Sequence, residues 1–207
     1  MYVVFEGIEG SGKDTQANML ADAWAASGAI PLRVNEPDDQ NPIGKLLRQF
    51  LAAGTSPKTH AALFLADRMA LHHERILPAI EAGKSVISSR SFLSTLVYQQ
   101  EQWPLDWLFD LHRTLPTQVD AFIILDVDPE EGLGRVDSRG YRREYYEAIE
   151  FQRKNRQRYL ELAKDPQLRE YLADGGKVFV VNTTGKTAQE VHREVRMCLE
   201  DLMGPTT

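Results

Sequence analysis

The chain has 207 residues, 43% of them hydrophobic and 26% charged, which suits one sizeable core with a small lid and is too little for two full domains. A net charge of −6 argues against a duplex nucleic acid partner, which calls for a basic excess along the phosphate backbone. One cysteine, Cys198, leaves no intrachain disulfide or cysteine-cluster metal site, and with no apolar run of membrane-spanning length a soluble, cytoplasmic protein without a membrane partner is expected.

In chain order, residues 1–6 (MYVVFE) form a β-branched and aromatic run that turns directly into a glycine-rich stretch, as a buried central strand feeding a helix does. From residue 13 to about 27, Ala17, Leu20, Ala21 and Trp24 recur at helical spacing, and Gly28 supplies the stop. Residues 30–35 predict a second strand. A loop with two prolines and clustered acids follows, then a short helix over 43–53 ended by Gly54. Ser56 and Pro57 are an N-cap and first-turn pair opening a long helix to about residue 76, with Pro78 a kink or a restart.

Residues 84–89 predict a third strand, with residues 90–92 a loop at its carboxyl end, the edge where ligands bind in open α/β sheets. Helical patterns cover 94–102 and 105–114. The most apolar strand is predicted at 121–127, followed by a proline-started helix over 128–136 and a polar, arginine-rich lid at about 135–143. A long helix over 144–163, a short one after Pro166, a fifth strand at 177–181 and a final helix complete the chain. Thr187 and Glu190 have capping-box spacing there. Strands alternating with helices throughout predict an α/β fold, a parallel sheet covered on both faces, in one domain spanning 1–207.

The stretch GIEGSGKDT carries the clearest chemistry. Gly7, Gly12 and Lys13 satisfy the first seven positions of G-x-x-x-x-G-K-[ST], whose bare backbone N–H groups cradle phosphates while the lysine reaches the outer ones. Gly10, Ser11 and Thr15 fill out the loop, but Asp14 stands where the Mg²⁺-binding hydroxyl is expected. Glu9 would repel phosphates if it faced them, so it should point towards a second ligand; a solvated surface carboxylate is the plainer alternative. In the lid, Arg135, Arg139, Arg142 and Arg143 are mobile positive charges of the kind that stabilise a phosphoryl group in flight, Arg139 and Arg143 foremost. His72 and His73 read as partly exposed polar residues.

Beside the loop stand NEPDDQNPIGKLLRQFL, LFLADRMALHHERILPAIEAGKSVISSRSFLSTLVYQ and DVDPEEGLGRVDSRG, in an order and spacing that resemble the thymidylate kinase family through most of the chain. The resemblance implies a P-loop three-layer sandwich with a five-stranded parallel sheet, and transfer of the ATP γ-phosphoryl group to the 5′-phosphate of dTMP with Mg²⁺ in a homodimer. Position by position, it makes Lys13 and Arg90 catalytic and gives Arg90 the acceptor phosphate. Phe64 would stack on the base and Arg68, one helical turn on, would recognise it. Ser94 or Thr95 would face the base edge, and Tyr98 would crowd the sugar 2′ position. The plainer alternatives are Phe64 as core, Arg68 paired with Asp67 or Glu74, and Tyr98 packed in a helix interface. The resemblance also makes the lid the seat of the catalytic arginine, and NTTG after strand five the adenine-side loop. The acceptor is already anionic near neutral pH, so no general base is needed.

Three departures from the family pattern stand out. The aspartate before Arg90 is Ser89, the arginine before Glu-Pro is Asn35, and Asp14 replaces the loop hydroxyl. The paired change suggests that the metal carboxylate has moved from position 89 to position 14; alternatively, Asp14 turns outward and favours the first helix turn electrostatically. The altered Asn35 and Ser89 keep dUMP, a 5-modified deoxyuridine monophosphate and a catalytically weakened nucleotide-binding module open as alternatives.

Overall fold

The computed structural model describes residues 1–115, 117–138 and 149–203. Five strands, β1 (Tyr2–Glu6), β2 (Leu32–Asn35), β3 (Val86–Ser89), β4 (Val119–Asp126) and β5 (Leu172–Asn182), form one sheet in the order β2-β3-β1-β4-β5, parallel at every pairing. This is the expected sheet, with β1 at its centre. The two-residue alternation of β1 explains the layering. Tyr2 and Val4 pack into one apolar cluster with Leu96, Phe109 and Phe122, while Val3 and Phe5 pack into the other with Leu20, Ile123 and Val195.

The helices that cover the two faces are α1 (Lys13–Ala26), α2 (Pro42–Ala52), α3 (Pro57–Leu71), α4 (Leu77–Glu81), α5 (Phe92–Gln99), α6 (Leu105–His112), α7 (Pro129–Asp137), α8 (Ile149–Leu162) and α9 (Ala188–Met203). The capping box at the last helix is present: Thr187 Oγ1 accepts from Glu190 N–H at 3.3 Å and Glu190 Oε2 accepts from Thr187 N–H at 2.8 Å. No helix of the described residues is long and apolar enough to cross a membrane.

Several expected boundaries move. The long helix from Pro57 stops being α-helical at Leu71; a π-helical turn, His72–Ile76, joins it to α4 through continuous helical backbone, and Pro78, just after that turn, removes one N–H donor from the run. Ser56 precedes Pro57 but makes no side-chain cap bond. His72 is buried instead of partly exposed, because the turn carries it inward to Thr117 Oγ1 at 2.6 Å. Helix α5 begins two residues earlier than expected, with Ser91 as its cap. Strand β5 begins at Leu172, earlier than the expected 177; Gly175 and Gly176 conceal its first half in the sequence, where the pairing with β4 shifts register between Val119 and Ala121. Of the expected lid at 135–143, residues 135–137 are the end of α7, while residues 139–143, including Arg139, Arg142 and Arg143, lie outside the described residues, as do 144–148.

Candidate active site

The carboxyl ends of β1, β2 and β3 meet around one cavity of about 620 Å³. Its floor is the loop between β1 and α1. Gly7, Gly10 and Gly12 have φ between 72° and 141°, conformations open to glycine. A Cβ on Gly10 would sit 1.9 Å from the Gly132 carbonyl oxygen, and one on Gly132 would sit 2.6 Å from that of Glu9, so α7 seats directly on the loop backbone. From the other side Gln152 Oε1 accepts the Glu9 N–H at 3.1 Å.

Lys13 is buried, and its ammonium donates to the carbonyls of Gly7 at 2.9 Å and Ile8 at 2.8 Å, with Ser11 Oγ at 3.5 Å. Burial, and then the nearby Arg90 charge, pull its pKa down to about 8. Asp14 and Thr15 are exposed at the same cavity wall. Asp14 Oδ1 lies 3.5 Å from Arg33 Nη2. Desolvation alone would raise its carboxyl, but a hydrogen bond with Ser89 and the charges of Lys13, Arg90 and Arg33 hold it below the ordinary range. Asp14 and Ser89, the position whose acid is missing, line the same cavity.

Arg90 adopts φ 73°, the one positive φ outside glycine among the described residues. Its N–H donates to Phe5 O at 2.8 Å, and its guanidinium pairs with Glu9, donates to Ser94 Oγ at 3.2 Å and lies 5.6 Å from the Tyr98 ring centre. Burial alone would raise the Glu9 carboxyl; Arg90 and Lys13 outweigh it and keep it low. Glu9 thus points away from the phosphate loop and towards an arginine, as the charge argument requires, and it is not a solvated surface acid. That arginine is the protein's own.

Phe64, Ser94, Thr95 and Tyr98 line the cavity opposite the loop, with Phe64 half-buried at its wall instead of in the core. Glu6, fully buried at the end of β1, organises this side: it accepts from Ser91 N–H at 2.7 Å, Ser94 Oγ at 2.8 Å and Tyr159 OH at 2.8 Å. Arg68 stands behind the wall and does not line the cavity. It donates from Nε to Glu36 Oε2 at 2.8 Å, from Nη1 to Thr95 Oγ1 at 3.2 Å and His112 Nε2 at 2.8 Å, and from Nη2 to Ser91 O at 3.0 Å, with Nη2 also 2.5 Å from Glu36 Oε2 as an ion pair. Its partner acid is Glu36, not Asp67 or Glu74.

Of the four arginines expected in a lid, Arg135 is described and lies in the last turn of α7. It donates to Gly10 O at 3.2 Å and Thr183 O at 2.8 Å and pairs with Glu131, tying the phosphate loop to NTTG after β5, a loop that does not line this cavity. Sequence reasoning missed Glu6, Arg33, Arg48 and Gln99. Arg33 shares a strand face with Asn35 at two-residue spacing, which was a usable signal. Gln99 is buried with an unpaired Nε2 at the cavity, one turn from Thr95. Only the fold brings Arg48 there.

No cluster of three or more potential metal-ligating side chains occurs among the described residues. A Mg²⁺ carried by nucleotide phosphates needs only one or two protein carboxylates, and the exposed Asp14 with Ser89 beside it suits that donor set. The arrangement can hold an anionic chain on the loop and a second anionic ligand at Arg90, between rigid walls.

A family model described as thymidylate kinase matches residues 5–195. A probable thymidylate kinase of Thermococcus kodakarensis is 35% identical over 216 residues, covering 99% of both chains. A thymidylate kinase of Carboxydothermus hydrogenoformans is 33% identical over 211 residues, covering 98% of both. The solved thymidylate kinase of Candida albicans superposes with a TM-score of 0.78 at 26% identity, over 97% of this chain and 91% of that one. Match and geometry agree from β1 to the last helix, and the chain belongs to the thymidylate kinase family.

Proposed function

We propose that this chain transfers the γ-phosphoryl group of ATP to the 5′-phosphate of dTMP, giving dTDP and ADP. The observation that carries this reading is the opposition, across one cavity, of a phosphate loop with a buried lysine and an arginine held by the loop's own acid. ATP lies with its phosphates on the backbone N–H groups of residues 7–15, and Lys13 exchanges its carbonyl partners for the outer phosphates. The acceptor phosphate takes Arg90. Phe64 and Tyr98 flank the base and sugar, Ser94 and Thr95 present hydroxyls to the base edge, and Arg68 supports Thr95 and Glu36 from behind.

Catalysis is alignment and charge neutralisation, because the attacking oxygen is anionic and no proton needs removing. Mg²⁺ supplies charge neutralisation across the phosphates when bound. Asp14, in the position usually held by a hydroxyl and lining the same cavity as Ser89, is the carboxylate that would hold it. Arg139 and Arg143 of the lid are proposed to close over the transferred group, and the working unit is proposed to be a homodimer. The dUMP and weakened-module alternatives gain no support from the family match. The test is direct: with ATP, Mg²⁺ and dTMP, anion-exchange separation of the nucleotides should give dTDP and ADP in equal amounts, whereas ADP without dTDP would contradict the reading.

A further inference from the structure

We propose that Arg75, which does not line the cavity, is a positioning residue for the acceptor nucleotide: with Asp38 it clamps the outer side of the wall formed by Glu36 and Pro37. Residues 35–37 and Asp39 line the cavity on one side. Their other side faces the helical run of α3 and the π turn, which holds them at three points. Arg68 takes the Glu36 carboxylate. Asp67 Oδ2 accepts the Asp38 N–H at 3.0 Å. Arg75 Nη1 donates to both Asp38 oxygens at 2.9 Å.

The Asp38 side chain is only 3% exposed, and a carboxylate so deep is tolerated because it is paired. It sits against the equally buried Asp67, whose carboxyl is raised by its own burial. Without Arg75, two acids would face each other behind the wall with Arg68 already committed to Glu36. The wall has no slack to absorb that. A Cβ on Gly44 of α2 would stand 2.0 Å from Asp38 O, so α2 rests directly on the loop, and Arg48 of the same helix donates to Pro37 O at 3.2 Å. Loss of the clamp therefore displaces Pro37 and Glu36 towards the cavity. The phosphate loop is held by separate contacts, from Gln152 and Gly132, and stays in place.

This inference rests on the assignment of the Phe64 side of the cavity to the acceptor. The experiment is steady-state kinetics of the full chain with Arg75→Met, Asp38→Asn, the double variant and Phe64→Ala, varying dTMP and ATP separately. The expected result is a rise of about tenfold in the dTMP KM for Arg75→Met with the ATP KM within about twofold of the parent. The double variant should lie closer to the parent than Arg75→Met does, since the amide at 38 no longer needs a countercharge. An unchanged dTMP KM in Arg75→Met while Phe64→Ala raises it would overturn the clamp and keep the pocket assignment. No change in either would overturn both, and equal rises in the two KM values would reduce Arg75 to a general structural role.

Discussion

Glu9, from the phosphate loop, and Arg90, from the end of β3, form an ion pair across the cavity, although 81 residues separate them in sequence. The pair ties the phosphate loop to the carboxyl end of β3. Arg90 is held at its left-handed φ by Phe5 and Ser94 and cannot swing freely. We expect Arg90→Ala to lower kcat/KM for dTMP by about 10²–10³, the usual cost of removing one preorganised charge-stabilising donor. Steady-state kinetics with dTMP as the varied substrate measure it, and Glu9→Gln should show the smaller loss.

Lys13 gives the site a pH signature. Burial, then Arg90, lowers its pKa to about 8, so the free enzyme loses the ammonium as pH rises through that value. ATP affinity and kcat/KM for ATP should therefore fall above about pH 8, and Lys13→Arg, charged throughout, should flatten the profile if it still binds. The stability sign is opposite. Between about pH 8 and the lysine's ordinary value the unfolded chain binds more protons than the folded one, so the contribution of Lys13 becomes more favourable with rising pH.

Because Asp14 and Ser89 line one cavity, the relocated metal carboxylate is testable. Asp14→Asn should raise the Mg²⁺ concentration for half-maximal turnover by about tenfold, as loss of one charged ligand does, and weaken Mn²⁺ binding to the ATP complex measured by electron paramagnetic resonance. Combining Asp14→Thr with Ser89→Asp should restore both. Full Mg²⁺-dependent turnover in Asp14→Thr, with no effect of Ser89→Asp, would end the idea.

His112 Nε2 faces Arg68, which can only donate, so Nδ1 carries the proton and donates to Leu108 O at 2.6 Å. Burial first, and Arg68 next, push both His112 and His72 to about 3. A histidine lowered in this way stabilises the fold fully above its ordinary pKa and loses that contribution as pH falls through the window from about 6.5 to 3. At pH 5 the loss is roughly 2 kcal/mol for each. Urea denaturation at pH 7.5 and pH 5 should show it, and His112→Phe should cost about 1–3 kcal/mol at pH 7.5 by leaving an Arg68 N–H buried without an acceptor.

The sheet, its parallel sense and the phosphate loop were legible because they are local: alternation in residues 1–6, the Gly7 to Lys13 spacing and the Gly28 stop declare themselves within a few residues. The π turn at His72–Ile76 was not, since one helical pattern runs through it, and the contacts its residues make, His72 with Thr117 and Arg75 with Asp38, are long-range. Strand β5 was cut short because glycines carry no alternation. In the site, the Glu9 side chain meets Arg90, 81 residues away in sequence, a partner that charge alone did not name. Arg68 was placed by motif near the wall, but its four acceptors, on Glu36, Ser91, Thr95 and His112, come from three separate segments and no local pattern announces them. The same holds for Glu6 and Arg48, which matter through what the fold brings to them.

The central claim is that the two halves of this cavity make a dTMP kinase. The most direct test is acceptor-dependent ADP release with ATP and Mg²⁺ over a panel of dTMP, dUMP, dCMP and the ribonucleotide of thymine. The expected result is the highest kcat/KM for dTMP, with the ribonucleotide penalised by Tyr98. Tight ATP binding with no acceptor-dependent ADP release, or a clear preference for another acceptor, would contradict it.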